Sequence, residues 1–145
     1  MLADVLVSDW MTDTPFIVEH NTSIMDTYKK MKTNNVRRLP VMKNKRLIGI
    51  VTLGDIREAR PSNASALSVW ENNYLLTKLL VREVMTFNPL TVSPTDSMQS
   101  AAQLMLERKI GGLPVVSDEG NLVGILTESD IFRMVVSSHV EIHTN

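Results

Sequence analysis

The sequence predicts a mixed α/β (α+β) protein built from one structural unit that occurs twice. Two stretches share a pattern of glycine, two apolar residues, threonine and aspartate: GIVTLGD begins at Gly49, and GILTESD begins at Gly124. Leu-Pro-Val also occurs once in each half, and strand-like and helix-like patterns follow in the same order. An internal duplication of this kind predicts two small units, each too small to be stable without its twin.

The first unit is predicted to run strand, helix, strand, strand, helix. PFIV is the opening strand, although its proline cannot donate a backbone hydrogen bond. Ile24, Tyr28 and Met31 recur at helical spacing behind residues 21–23, whose Asn, Thr and Ser are candidate caps. RLPVM and RLIGIVT form a hairpin around Lys-Asn-Lys, and the last helix starts after Thr52.

The second unit repeats this order. PLTV corresponds to the opening strand, and Met98, Ala101 and Met105 mark the apolar side of the first helix. GLPVV and NLVGILT form the hairpin around Asp-Glu-Gly, and the last helix starts after Thr127.

The segment between the two copies is predicted to be a connecting helix. Leu67, Trp70 and Tyr74 fall on one of its faces, which either packs against its own domain or contributes to a dimer contact. The predicted organisation is repeat 1 at 1–60, connecting segment at 61–80, repeat 2 at 81–137 and tail at 138–145.

Composition argues against several classes of function. The 145 residues include 15 basic and 16 acidic side chains, so no net positive charge is available to attract nucleic acid. Cysteine is absent, which excludes disulfides, thiol catalysis and thiolate metal sites. No apolar run has the length of a membrane helix, and we expect a cytoplasmic protein without a membrane partner.

The repeated Thr-x-x-Asp pattern suits a polar ligand. Thr52 and Thr127 each lie where a strand passes into a helix, and the free amide groups at a helix N-terminus attract anions. Asp55 and Asp130 follow one turn later, where a carboxylate can accept two hydrogen bonds from sugar hydroxyls. The same pattern also forms a capping box that only stabilises a helix start, and this alternative stays open.

These repeated features resemble a pair of CBS domains, the tandem arrangement called a Bateman module. The resemblance is carried by VSDWMT, NVRRLPV and GIVTLGDI in the first copy and by VREVMT, KIGGLPVV and GILTESDI in the second. It covers nearly the whole chain. The family implies a β-α-β-β-α unit, packed as a pseudo-twofold pair with two clefts between the repeats.

The resemblance also implies a ligand and a set of binding residues. Family members commonly bind AMP, ADP, ATP or S-adenosylmethionine, with no cofactor required. In this family the opening strand of one repeat usually completes the cleft of the other. The first cleft would then contain Thr52, Asp55, Arg37, Arg38, Gly49, Pro40, Thr86, Pro89, Leu90 and Thr91. The second would contain Thr127, Asp130, Gly124, Pro114, Thr12, Pro15, Phe16 and Ile17.

The two predicted clefts differ in charge. Before Leu-Pro-Val the first copy has Arg37 and Arg38, whereas the second has Gly111 and Gly112. Arginine offers a planar set of donors that matches phosphate oxygens, and glycine offers no side chain. We therefore expect the first cleft to prefer phosphorylated ligands, and the second to be weaker, empty or suited to a less charged adenosine compound. Both arginines could alternatively be solvated at a strand start.

Catalysis has no visible machinery in this sequence. Neither of the glycine motifs that bind nucleotide phosphates, Gly-x-x-x-x-Gly-Lys and Gly-x-Gly-x-x-Gly, is present. No nucleophile has a general base beside it, and the histidines lack the spacing of a metal site. We expect a regulatory module that is not an enzyme, binds no metal, senses an adenosine compound, forms a homodimer and acts on an unidentified protein target. The alternative is a ligand-free CBS dimer that serves as a structural or interaction scaffold.

Overall fold

A computed structural model describes residues 2–59 and 76–144 of the chain. The predicted connecting helix falls largely in the gap, and Leu67, Trp70 and Tyr74 lie outside the described residues. The chain divides into two compact units. We call Phe16–Pro89 the first unit, and Met1–Pro15 together with Leu90–Asn145 the second unit.

The first unit contains a four-stranded sheet with the strand order β2-β3-β4-β5. Strands β2 and β3 are parallel, and the other neighbours are antiparallel. Its elements are β2 (Val18–Glu19), α2 (Ile24–Asn34), β3 (Arg38–Lys43), β4 (Arg46–Thr52), α3 (Leu53–Ala59), a 3-10 turn (Val81–Glu83) and β5 (Thr86–Phe87).

The second unit contains a three-stranded sheet with the order β1-β7-β6, in which both pairings are antiparallel. Its elements are a 3-10 turn (Leu2–Asp4), α1 (Val7–Trp10), β1 (Thr12–Asp13), α4 (Met98–Arg108), β6 (Gly112–Val116), β7 (Leu122–Thr127) and α5 (Glu128–Thr144). Together the two units confirm the predicted duplicated α+β fold.

The first helix of each unit begins at a serine cap. Ser23 Oγ accepts a hydrogen bond from the Asp26 amide at 3.1 Å, and Ser97 Oγ accepts one from Ser100 at 3.0 Å. Each helix ends at a residue in the left-handed region, Asn35 in α2 and Lys109 in α4. Ser23 was one of three predicted cap candidates, and the structure selects it because its extended backbone presents the side chain to the helix start.

The predicted opening strands are shorter than expected. Of PFIV, only Val18 lies in β2, where it pairs with Val41. Of PLTV, only Val92 pairs with a strand, as an isolated parallel bridge to Val115. A proline in each of these segments lacks the N–H group that would extend the ladder.

Each unit includes a short segment that is adjacent in sequence to the other repeat. Val7 is fully buried in the core of the second unit, with Met98, Leu113 and Leu126. Val81 is fully buried in the core of the first unit. The two edge strands follow the same rule, because β1 pairs with β7 and β5 pairs with β4. The second unit is therefore made of two separate stretches of the sequence.

Candidate functional site

Thr52 and Asp55 form a reciprocal pair at the junction of β4 and α3. The Thr52 amide donates to Asp55 Oδ2 at 2.8 Å, and the Asp55 amide donates to Thr52 Oγ1 at 3.1 Å. This is the geometry of a capping box. Asp55 is half-buried, and among the described residues no donor reaches its second oxygen, Oδ1. That oxygen leaves the carboxylate free to accept a further hydrogen bond.

Thr127 and Asp130 occupy the matching junction of β7 and α5 with different bonding. The Thr127 amide donates to Asp130 Oδ2 at 2.8 Å, and the Thr127 hydroxyl lies 3.3 Å from the same oxygen. The guanidinium of Arg133 donates to the other oxygen, Oδ1, and forms an ion pair with it. Both oxygens of Asp130 therefore have partners from its own unit. The residue is also only 1% exposed.

Arg38 lies beside the first motif. It is the first residue of β3 and pairs directly with Thr52 at the end of β4. The neighbouring Arg37 is exposed, and its carbonyl accepts a hydrogen bond from the Leu53 amide at 2.9 Å, which ties the start of α3 to β3. In the second unit Gly112 pairs with Thr127, so no side chain stands at the position of Arg38.

The two prolines of Leu-Pro-Val lie on the same sheet face as the threonines. Pro40 pairs with Ile50, and Pro114 pairs with Ile125. Each of these isoleucines lies two residues before the threonine that ends its strand. Alternation along a strand puts these residues on the face opposite Leu39 and its core neighbours. The structure thus brings Arg38, Pro40 and Thr52 to one face of the first sheet.

Gly49 and Gly124 allow the close approach of an edge strand. A Cβ atom at Gly49 would lie 2.4 Å from Met85 Sδ and 2.9 Å from the Thr86 carbonyl oxygen. At Gly124 the corresponding distances are 2.6 Å to Met11 Sδ and 2.9 Å to the Thr12 carbonyl. In the structure the groups that approach these glycines are therefore backbone and methionine. Their role toward a ligand stays a prediction.

The opening-strand residues divide between the units. Thr86 pairs with Ile50 and belongs, like Pro89, to the unit of Asp55, whereas Thr12 pairs with Ile125 and belongs, like Pro15, to the unit of Asp130. The part that Thr86, Pro89, Thr12 and Pro15 play in the clefts stays a prediction. The others fall in the opposite unit, and their part in the clefts stays a prediction: Leu90 and Thr91 in the second unit, Phe16 and Ile17 in the first.

A groove of about 500 Å³ lies elsewhere in the second unit, between α4 and α5. None of the predicted binding residues lines it. Its walls are mostly apolar, with one basic and one acidic side chain: Ala102, Met105, Leu106, Lys109, Ile110, Glu128, Ile131 and Phe132. Leu106 and Phe132 at its rim are 80% and 64% exposed. Such large exposed apolar side chains in one place are typical of an interaction surface.

Sequence reasoning missed Arg133 and the apolar groove. A basic residue three positions after Asp130 on a helix is the signal that could have revealed the ion pair. Among residues 2–59 and 76–144, no group of three or more His, Asp or Glu side chains is placed to hold a metal ion. No helix in these described ranges is both long enough and apolar enough to cross a membrane.

The geometry defines a class of protein in which one α+β unit occurs twice, with a Thr-x-x-Asp turn at the same strand-to-helix junction of each copy. A family model described as the CBS domain matches residues 7–62 and 81–137. The chain belongs to the CBS domain family.

Similar proteins cover most of the chain. A CBS domain-containing protein of Dictyostelium discoideum is 32% identical over 133 residues, which span 91% of this chain and 92% of that protein. The inosine-5'-monophosphate dehydrogenase of Korarchaeum cryptofilum is 33% identical over 127 residues, but the match spans 88% of this chain and only 22% of the enzyme. Some relatives thus contain this pair as a small part of an enzyme.

Two similar solved structures contain adenosine compounds. The structure of CBSX2 in complex with AMP has a TM-score of 0.75 and 31% identity, covering 93% of this chain and 98% of that chain. CBSX2 is a protein of Arabidopsis thaliana. The CBS domain pair of protein MJ0100, in complex with 5'-methylthioadenosine and S-adenosyl-L-methionine, has a TM-score of 0.73 and 31% identity, covering 92% of this chain and 98% of that chain.

Proposed function

We propose that this protein is a regulatory module that binds an adenine nucleotide at the Thr52–Asp55 turn of its first unit. The observation that carries the proposal is that no donor in the described part of the chain reaches Oδ1 of Asp55, with Arg38 directly opposite Thr52 on the neighbouring strand. The carboxylate would accept the ribose hydroxyls, and the guanidinium would bind phosphate. The AMP complex of CBSX2 and the S-adenosylmethionine complex of the MJ0100 pair support an adenosine compound.

The bound nucleotide would act by shifting a conformational equilibrium. A ligand changes the behaviour of a partner only if it binds one conformation or assembly more tightly than another. We propose a cytoplasmic protein that passes this change to a protein target and performs no chemistry on the nucleotide itself. AMP, ADP and ATP are the preferred candidates because of Arg37 and Arg38, and S-adenosylmethionine is the less charged alternative.

The experiment is a calorimetric titration of nucleotide-free protein with AMP, ADP, ATP and S-adenosylmethionine. Asp55→Asn is the informative variant, because its amide oxygen can still accept the Thr52 amide while the charge is lost. Asp96→Asn is a matched control, since Asp96 Oδ2 accepts the Ser93 amide at 2.8 Å with the same spacing. We expect nucleotide binding by the wild type and the control, and at least about tenfold weaker binding by Asp55→Asn.

The outcomes distinguish a ligand-binding turn from a turn that only caps a helix. Equal affinity of Asp55→Asn and the wild type would show that the turn only caps α3. No binding of any of the four compounds by the wild type would contradict the sensor function and favour the alternative.

The alternative is a ligand-free CBS dimer that serves as a scaffold. The exposed apolar side chains around the α4–α5 groove favour it, because a stable monomer rarely exposes large apolar residues together. A homodimer is compatible with both functions. We propose that a second copy of the chain covers this groove, since Lys109 and Glu128 are among the residues that line it and two copies could pair these opposite charges reciprocally.

A further inference from the structure

Arg133 distinguishes the second Thr-x-x-Asp turn from the first. Its side chain is 58% exposed, yet its guanidinium is bound to Oδ1 of Asp130, which is 1% exposed. Oδ2 of Asp130 is already occupied by the Thr127 amide and hydroxyl. Because this carboxylate is buried and each of its oxygens already has a donor, a sugar diol would have to compete with Arg133 for it.

The first unit has a residue of opposite charge at the matching position. Three residues after Asp55 the chain places Glu58, which is exposed, whereas three residues after Asp130 it places Arg133. Glu58 cannot form an ion pair with Asp55, and among the described residues Oδ1 of Asp55 has no donor. The two turns therefore differ in carboxylate availability as well as in the arginines on the adjoining strand.

We infer that Arg133 is a positioning residue that closes the Asp130 turn to ribose and so makes the Asp55 turn the stronger adenosine site. This inference rests on the proposed function. A diol can reach Asp130 only after the guanidinium leaves, and the exposure of Arg133 means that it can turn into water. A ligand without phosphate offers the displaced guanidinium no anionic partner, so the closure acts most strongly against uncharged adenosine.

The test measures adenosine binding in an Asp55→Asn background, where Asp130 is the remaining motif carboxylate. Replacing Arg133 by Gln keeps a long polar side chain but removes the charge that holds Asp130. We expect Asp55→Asn/Arg133→Gln to bind adenosine about fivefold more tightly than Asp55→Asn alone, the effect of breaking one weak ion pair. The variant Asp55→Asn/Arg133→Lys, which retains the charge, should bind adenosine about as tightly as Asp55→Asn alone. 2',3'-Dideoxyadenosine, which lacks the two hydroxyls of the ribose diol, should show no gain in any variant.

The reciprocal variant tests the same device in the first unit. Glu58→Arg in an Asp130→Asn background should weaken adenosine binding about fivefold by giving Asp55 an equivalent partner. Thermal unfolding of every variant identifies any that fail to fold. Because the Asp55→Asn and Asp130→Asn backgrounds test different units, a folding failure in one leaves the other test intact. Equal adenosine affinity with and without Arg133→Gln, while the Asp55 site still binds, would overturn the role of Arg133 and leave the proposed function standing. Failure of the wild type and all variants to bind would overturn both.

Discussion

Arg38 lies directly opposite Thr52 in the antiparallel pairing of β3 and β4. Side chains at directly paired positions leave the sheet on the same face, with Cβ atoms about 5 Å apart. The hydroxyl at the helix start and a guanidinium are therefore neighbours in the first unit. The second unit has Gly112 opposite Thr127, so no side chain places a positive charge at that strand position.

The first prediction concerns phosphate selectivity. Arg38→Ala should weaken AMP binding about tenfold, because a charge-assisted hydrogen bond to phosphate is lost. Adenosine binding should change less than about twofold, since adenosine has no phosphate. Calorimetry with both ligands at two salt concentrations measures the difference.

Arg46→Ala, at the exposed hairpin end of β4, is the control for a general loss of positive charge. An equal loss of affinity for AMP and adenosine would argue against a phosphate role for Arg38.

The second prediction concerns the strand pairing at Gly49. A methyl group there would meet Met85 Sδ at 2.4 Å and the Thr86 carbonyl at 2.9 Å, and the backbone atom cannot move without disturbing the β4–β5 pairing. Gly49→Ala should lower the free energy of unfolding by about 2 kcal/mol. Chemical denaturation measures this change.

Gly54 provides the matched control. It lies in α3, and among the described residues a Cβ atom there would meet only the Thr52 hydroxyl, at 3.5 Å. Gly54→Ala should stabilise the protein by up to about 1 kcal/mol, because alanine favours a helix over glycine. Equal stability changes at the two glycines would show that the edge strand tolerates a side chain at position 49.

The glycines also show what the sequence could and could not predict. The duplicated pattern predicted the element order, because the helices and hairpins each span enough residues to display a period. Edge strands β1 and β5 escaped prediction because each consists of two residues, too few for alternation to be recognised. Nothing in the local sequence around Gly49 and Gly124 indicated that Thr86 and Thr12 supply the backbone atoms that approach them.

The site was predictable to a similar extent. Thr52 and Asp55 were found by their repetition, and the structure adds that each accepts a hydrogen bond from the backbone amide of the other. The same carboxylate-to-amide spacing occurs at Asp9, Glu83 and Asp96, so the pattern alone does not separate a cap from a binding site. The ion pair between Asp130 and Arg133 depends on a side-chain rotamer, which sequence spacing permits but does not determine.

The third prediction concerns the caps of α2 and α4, the corresponding helices of the two units. Ser23→Ala should lower the free energy of unfolding by about 1 kcal/mol, because the Asp26 amide loses its acceptor. Ser97→Ala should have a similar effect through the Ser100 amide. Ser23→Asp retains an acceptor and is the control, with an expected change of a few tenths of a kcal/mol. If Ser23→Ala and Ser23→Asp unfold at the same denaturant concentration, the cap contributes nothing measurable.

The fourth prediction concerns the surface around the α4–α5 groove. Leu106 and Phe132, both exposed, occupy the positions that the basic residues Lys32 and Arg57 occupy in the first unit. Leu106→Lys/Phe132→Arg gives the second unit the residues of the first. If a second copy covers the groove, this variant should dissociate at least about tenfold more readily, because it places charges in a buried apolar contact.

Light scattering during size-exclusion chromatography, over a range of protein concentrations, measures this dissociation. Lys32→Glu/Arg57→Glu is the control, since it changes the charge on the matching surface of the first unit without altering the groove. We expect the wild type and the control to be dimers and the groove variant to shift to monomer. A wild type that remains monomeric at high concentration, or a groove variant that dimerises as well as the control, would show that the second copy binds elsewhere or not at all. Repeating the AMP titration on the monomeric variant then tells whether nucleotide binding requires the dimer, because a site contained within one unit should retain its affinity.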